Sequence, residues 1–158
     1  MRKINVLCVG TIKEDFIKQG INEYLKRLSK FYQIKIVELN EFNYKNNNPS
    51  ESERFLIIEN EKRQIIDRLS GYIISLCIEG KELDSIELSN TIKKIYNTNS
   101  EITIIIGGSY GLSEEIKKKS NLLLSFSKLT FPHQLMRLIL LEQLYRATTI
   151  ENNTPYHK

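Results

Sequence analysis

The sequence predicts an α/β domain: a mostly parallel five-stranded sheet with helices on both faces. Five short apolar runs alternate with five segments of helical periodicity, the pattern that builds a parallel sheet through crossover helices. One run, Ile102–Ile106, is nearly all isoleucine, as a central strand buried on both faces requires. No repeat, low-complexity stretch or linker interrupts the 158 residues, so residues 1–158 are expected to form one domain.

In chain order, Ile4–Val9 is the first strand, closed by Gly10. Ile17, Ile21, Tyr24, Leu25 and Leu28 then recur at helical spacing within Lys13–Ser29. Ile34–Leu39 is a second strand and Asn40–Ser50 a polar loop. Ser50 or Ser52 is placed to cap a helix to Leu69, with Phe55, Ile58, Ile65, Ile66 and Leu69 on its inner face and Gly71 beyond. Tyr72–Ile78 is the third strand. Asp84–Tyr96 is the third helix, carrying Ile86, Leu88, Ile92 and Ile95 on its apolar side. After Ile102–Ile106 come a Gly-rich turn, a short helix over Ser113–Lys119 and a strand over Leu122–Phe126. A last helix opens at Pro132, runs to about Ala147 and is apolar around most of its girth, so it must be buried. Thr148–Lys158 is a polar tail.

The composition narrows the class. Hydrophobic residues are 41% and charged residues 27%, a globular balance. No apolar run approaches the ~20 residues a membrane helix needs, and Met1–Val6 does not read as a signal peptide, so a cytoplasmic protein without a membrane partner is expected. The net charge of +4 permits an RNA partner without requiring one. Cys8 and Cys77 read as reduced core thiols, and with His133 and His157 the only histidines, no metal is expected. The runs Lys93-Lys94 and Lys117-Lys118-Lys119 read as solvated helix faces.

In an open parallel sheet, ligands bind beyond the carboxyl ends of the strands. That points to the segments after Ile78, Ile106 and Phe126. Gly107, Gly108 and Gly111 fall within five residues, which lets backbone approach a ligand closely, or simply turn from strand to helix. Neither the Walker nor the dinucleotide pattern is present. Glu114 and Glu115 follow the Ser113 cap and would repel a phosphate, so a ligand without phosphate, such as S-adenosylmethionine, suits the turn better. Ser127–Pro132 mixes hydroxyls with apolar groups, as a loop around a heterocycle does, or as an ordinary connection does. The C-terminal Tyr156-His157-Lys158 would by itself read as a frayed tail.

Taken together, Ile105–Gly111, Leu124–Gln134, Glu142–Ala147 and the terminal Pro155-Tyr156-His157-Lys158 resemble the RlmH family, and the likeness extends over the whole chain through Val9-Gly10 and Glu79-Gly80-Lys81. The resemblance implies a SPOUT-class methyltransferase with a C-terminal trefoil knot, acting as a homodimer. It further implies S-adenosylmethionine-dependent methylation of N3 of a pseudouridine in 23S ribosomal RNA on assembled ribosomes. Carried over, the cofactor residues are Leu76, Gly108, Ser127, Lys128, Leu129, Thr130, Phe131 and Pro132. The residues toward RNA and catalysis are His133, Arg146, Tyr156 and His157.

The chain departs from the family pattern at Thr11 (lysine in the family), at Asp84-Ser85-Ile86 (paired serines) and at Asn152-Asn153-Thr154, where the family has a segment containing glycine. The alternatives are a SPOUT methyltransferase with another RNA target, a non-catalytic ribosome-binding paralogue and a flavodoxin-like flavin binder.

Overall fold

The computed structural model describes residues 1–45 and 47–158; Asn46, in the loop expected over 40–50, lies outside the described residues. The strands are β1 (Arg2–Val9), β2 (Tyr32–Leu39), β3 (Tyr72–Glu82), β4 (Glu101–Ile106) and β5 (Leu122–Ser125). The helices are α1 (Asp15–Leu28), α2 (Glu51–Ile66), α3 (Ser85–Ile95), α4 (Glu114–Lys119) and α5 (His133–Glu151). All strand pairings are parallel, in the order β2-β1-β4-β3-β5.

Alternation along the central strands explains the two faces. Ile4, Val6 and Cys8 of β1 and Ile102, Ile104 and Ile106 of β4 pack beneath α1, α3 and α5. Their neighbours Leu7, Val9 and Ile105 meet Ile65 of α2 and Ile116 of α4 on the other side. Two-sided burial is why these strands read as unbroken apolar runs.

Two helices begin with capping boxes, Ser50 with Glu53 and Asp84 with Glu87, each satisfying backbone N–H groups that the first turn leaves free. Asp84, one of the departures from the family pattern, therefore does the work of an N-cap.

Several expectations need correction. Phe55 is 62% exposed, and the buried stripe of α2 is Ile57, Glu61 and Ile65. Ile86 is likewise exposed, and the inner residues of α3 are Leu88, Ser89, Ile92 and Ile95. Pro132 is the N-cap of α5, which continues past Ala147 to Glu151. The hydroxyls of Thr148 and Thr149 donate to the carbonyls of Tyr145 and Arg146 at 2.6 and 2.7 Å, so these residues can be buried within a helix despite their polarity.

Cys8 is a core thiol, pushed up to about 11 chiefly by burial. Cys77 is only half-buried and lies beside a cavity. Lys117 does not belong to a solvated face: it pairs with Glu79 and with Glu114 and lines that same cavity. No helix among the described residues is long and apolar enough to cross a membrane.

Candidate functional site

A cavity of about 760 Å³ opens at the carboxyl ends of β3, β4 and β5, where the sheet rule places a ligand. β4 delivers its floor, Ile106 running into Gly107–Leu112. β3 delivers one wall through an irregularity in its pairing with β5. Leu76 pairs with Leu124, the ladder lapses, and Lys81 then faces Leu124 again. Cys77, Ile78 and Glu79 leave the ladder there and turn to the cavity, the use to which bulges near binding sites are put.

β5 delivers the opposite wall, Ser125–Ser127 and Leu129–Pro132. Serines shape this loop: Ser125 Oγ donates to the Ser127 carbonyl at 3.0 Å, and Ser127 Oγ accepts from the Leu129 N–H at 3.0 Å. His133 and Met136, in the first turn of α5, complete the lining.

Of the residues singled out in the sequence, Leu76, Gly108, Ser127, Leu129, Thr130, Phe131, Pro132 and His133 all face this cavity. Lys128 does not line it; its side chain is exposed.

Arg146, Tyr156 and His157 gather elsewhere, where the end of α5 meets α1. Arg146 pairs with Glu142, lies 4.8 Å from the centroid of the Tyr156 ring, and approaches His157 Nδ1 at 3.3 Å. The Tyr156 hydroxyl sits 3.2 Å from that of Tyr24 and donates to Glu142 at 3.1 Å, with the Tyr145 ring edge-on at 4.9 Å. Burial first, then Tyr24 and Glu142, hold the Tyr156 phenol above its ordinary range, so it acts as a hydrogen-bond donor near neutral pH. The tail is a docked element rather than a frayed one.

A second polar group lies behind the glycine turn. Glu61 of α2 is 4% exposed, and its Oε2 has no hydrogen-bond partner among the described residues. A β-carbon on Gly108 would meet its carboxylate oxygens at 2.7 and 2.9 Å. Burial, then the carboxylate of Glu41, pushes Glu61 up to about 7. Glu41 itself accepts from Ser109 Oγ at 3.4 Å. A side chain starting at Gly10 would meet His133 Nε2 at 3.3 Å and Glu41 at 3.6 Å.

Beside them Arg137, fully buried, donates to Glu38 at 2.9 Å and to the Gly10 carbonyl at 3.2 Å. Sequence reasoning passed over Glu61, although its spacing of four from both Ile57 and Ile65 places a carboxylate on a buried stripe. Among the described residues no group of three His, Cys, Asp or Glu is arranged to hold a metal ion.

Parallel strands wound on both faces, with a crevice walled by a glycine turn and a strand-to-helix loop, define an α/β domain with a ligand site at the carboxyl edge of its sheet. The same fold occurs in a probable methylase family protein from Haemophilus influenzae Rd KW20 (TM-score 0.51, 14% identity, covering 99% of this chain and 70% of that one). It occurs also in a putative methylase family protein from Neisseria gonorrhoeae (TM-score 0.52, 11% identity, covering 99% and 85%). The family model described as "Predicted SPOUT methyltransferase" matches residues 2–157.

A protein named ribosomal RNA large subunit methyltransferase H from Streptococcus uberis is 48% identical over 159 residues, covering 99% of each chain. Its namesake from Bacillus thuringiensis is 45% identical over 158 residues, covering 98% of this chain and 99% of its own. The chain belongs to the SPOUT methyltransferases and, within them, to the RlmH family.

Proposed function

We propose that this methyltransferase uses S-adenosylmethionine to methylate N3 of a pseudouridine in 23S ribosomal RNA, on assembled ribosomes, as a homodimer whose C-terminal segment carries the trefoil knot of its family. The observation that supports it most is the convergence of Leu76, Gly108 and Ser127–Pro132, apart from Lys128, on one cavity. The full-length likeness to proteins named for large-subunit ribosomal RNA supports the substrate.

The residues present fit the cofactor. The cavity lies within the range that holds molecules of this size, ~300–1,000 Å³. Gly108 lines the cavity, and a β-carbon there would point behind the turn, against Glu61 and Val9. Glu114 and Glu115 begin α4 just beyond Ser113, which disfavours a flavin phosphate at the turn. Leu76, Leu129 and Phe131 offer apolar surface, and the Ser127–Pro132 backbone offers donors and acceptors to a heterocycle edge. When bound, S-adenosylmethionine supplies a methyl group on a sulfonium.

The remaining work falls to the protein. It must hold the base in line, an orientation effect. It must also accept or neutralise the N3 proton, and His133 is the imidazole that lines the cavity. Arg146, Tyr156 and His157 form the surface that engages RNA, their cluster fixed through Glu142.

The test is reverse-transcription mapping of ribosomal RNA from a strain lacking the gene, with and without this chain supplied. Return of a stop at the pseudouridine is the expected result. A stop that stays absent while the protein is expressed and folded would overturn the reading.

A further inference from the structure

Glu61 poses a question of energetics. A carboxyl this deeply buried is costly to ionise unless it is paired or hydrogen-bonded, yet its Oε2 has no partner and no cation pairs with it among the described residues. The adjacent lysine, Lys62, is engaged by Glu59 and Glu115. Arg137, buried beside the Gly10 turn, is directed to Glu38 and to the Gly10 carbonyl. Glu41 adds a second carboxylate on the same side, bound among the described residues to the Ser109 hydroxyl alone. Two carboxylates thus lie beside the floor of a cavity, behind the backbone at Gly108, and among the described residues neither is held in an ion pair; the one lysine of the cavity lining, Lys117, is engaged by Glu79 and Glu114.

The geometry points to Glu61 as the counter-charge for a cation held in the cavity, with Glu41 beside it. Resting on the reading above, that cation is the sulfonium of S-adenosylmethionine. The carboxyl does not line the cavity and touches no ligand directly; it acts through space across the glycine turn, so it is a positioning residue. Low-dielectric surroundings carry such a field where water would screen it. Gly108 is what permits the approach: any larger residue would push the carboxyl away from the cavity floor.

The arrangement also separates reactant from product. S-adenosylhomocysteine has the same adenosine and amino-acid groups with a neutral thioether, so the carboxylate favours the charged cofactor and gives no such hold on the spent one. Proton linkage follows from the same charge. Glu61, at about 7 without ligand, is partly protonated at neutral pH, and a cation in the cavity favours its ionised form. Binding of the sulfonium should therefore release a fraction of a proton at pH 7 and tighten as pH rises from 6 to 8.

Other titratable and charged groups facing this region are Glu41, His133 and the Glu38–Arg137 pair behind the turn, and Cys77, Tyr110 and the Glu79–Lys117 pair in the cavity lining. His133, an imidazole beside the same turn, is a second group that can act on a cation held there. A substitution at Glu61 divides the two contributions.

The experiment is calorimetry of the full chain with S-adenosylmethionine and with S-adenosylhomocysteine, in two buffers of different ionisation heat, for wild type, Glu61→Gln and Glu41→Gln. Glu61→Gln keeps the side chain's shape, and its melting curve checks folding. Expected are about a tenfold loss for S-adenosylmethionine in Glu61→Gln, less than about a twofold change for S-adenosylhomocysteine, and disappearance of most of the proton release. Glu41→Gln should show the same pattern at smaller size. Equal loss of both ligands, or a folded Glu61→Gln that binds S-adenosylmethionine as wild type does, would overturn the inference while leaving the cofactor reading intact. Failure of wild type to bind either ligand would instead remove the cofactor reading, and this inference with it.

Discussion

One carboxylate oxygen, Oε1 of Glu142, accepts both the Tyr156 hydroxyl, at 3.1 Å, and the Arg146 guanidinium. That shared oxygen fixes the C-terminal tail to α5. Glu142→Ala should free both groups. Methylation of ribosomes should then fall by at least about tenfold, the effect of ~1.4 kcal/mol lost from the transition state. Because Glu142 does not line the cavity, affinity for S-adenosylmethionine should stay within about twofold, and the loss of stability should stay near 1 kcal/mol, as for a partly exposed pair. Single-turnover methylation alongside calorimetry measures both, and unchanged turnover would refute a role for the docked tail.

Two glycines of the same turn should respond differently to alanine. At Gly108 the new methyl would meet Glu61 and, at 3.1 Å, a methyl of Val9, so the turn must shift. Overpacking of this kind costs about 1–3 kcal/mol, and cofactor binding should weaken with it. At Gly111 nothing lies within 4 Å, but φ is +82°, and alanine there carries a backbone cost of ~1 kcal/mol without a steric one. Melting temperature with and without cofactor separates them: Gly111→Ala should keep most of the ligand-induced shift and Gly108→Ala should lose it.

Arg137 and Glu38 form an unequal pair, the guanidinium 4% exposed and the carboxylate 42%. Removing Glu38 strands a buried positive charge on the Gly10 carbonyl alone, whereas removing Arg137 leaves a carboxylate that water can reach. Glu38→Ala should therefore cost more, about 3 kcal/mol, than Arg137→Met, about 1 kcal/mol or less. Urea denaturation of the two variants gives the order directly, and the reverse order would show that Glu38 is not what holds the guanidinium.

Stability should also carry the mark of Glu61. Its carboxyl is raised to about 7 in the folded chain, chiefly by burial, while the unfolded chain titrates near 4.5. Between those values the folded state binds more protons than the unfolded one, so this group makes stability fall as pH rises from about 4.5 to about 7. The full effect is of the order of 3 kcal/mol. Glu61→Gln should flatten that portion of the stability curve, and an unchanged curve would mean the group ionises freely.

The fold was legible in the sequence where burial is two-sided. Ile102–Ile106 and Val6–Val9 face helices above and below, so every position is apolar and the strands announce themselves. The cavity was legible for a geometric reason, since any ligand of a parallel sheet meets the loops after its strands. Residues whose burial depends on distant partners were not legible. Phe55 has the pattern of an inner residue yet faces outward, and Thr148 and Thr149 look like a tail yet complete a helix. Glu61 and Arg137 are charged side chains inside the structure, and only the fold reveals what surrounds them. The docking of Tyr156 depends on Tyr24, 132 residues away in sequence, and no local pattern encodes it.

The two separated groups are held apart by α5. His133 at the cavity and Arg146 at the tail lie on the same rigid helix, thirteen residues apart, which is ~20 Å of helical rise. Arg146, Tyr156 and His157 are therefore kept away from their own chain's cavity, and a site that uses both groups needs the tail of a second copy. A twofold dimer would supply two such composite sites.

Take one variant defective in the cavity, Gly108→Val, and one defective in the tail, truncated after Pro155, each inactive as a homodimer. In a mixed dimer one site combines the two defects, while the other combines an intact cavity with an intact tail. If subunits assort freely, half the dimers are mixed and each has one working site of two, so co-expression should restore about a quarter of wild-type methylation. If each cavity instead used its own tail, no mixture would contain an intact site and activity would stay at zero. Methylation by the co-purified mixture distinguishes the two, and zero activity from a verified mixed dimer would rule out the shared site.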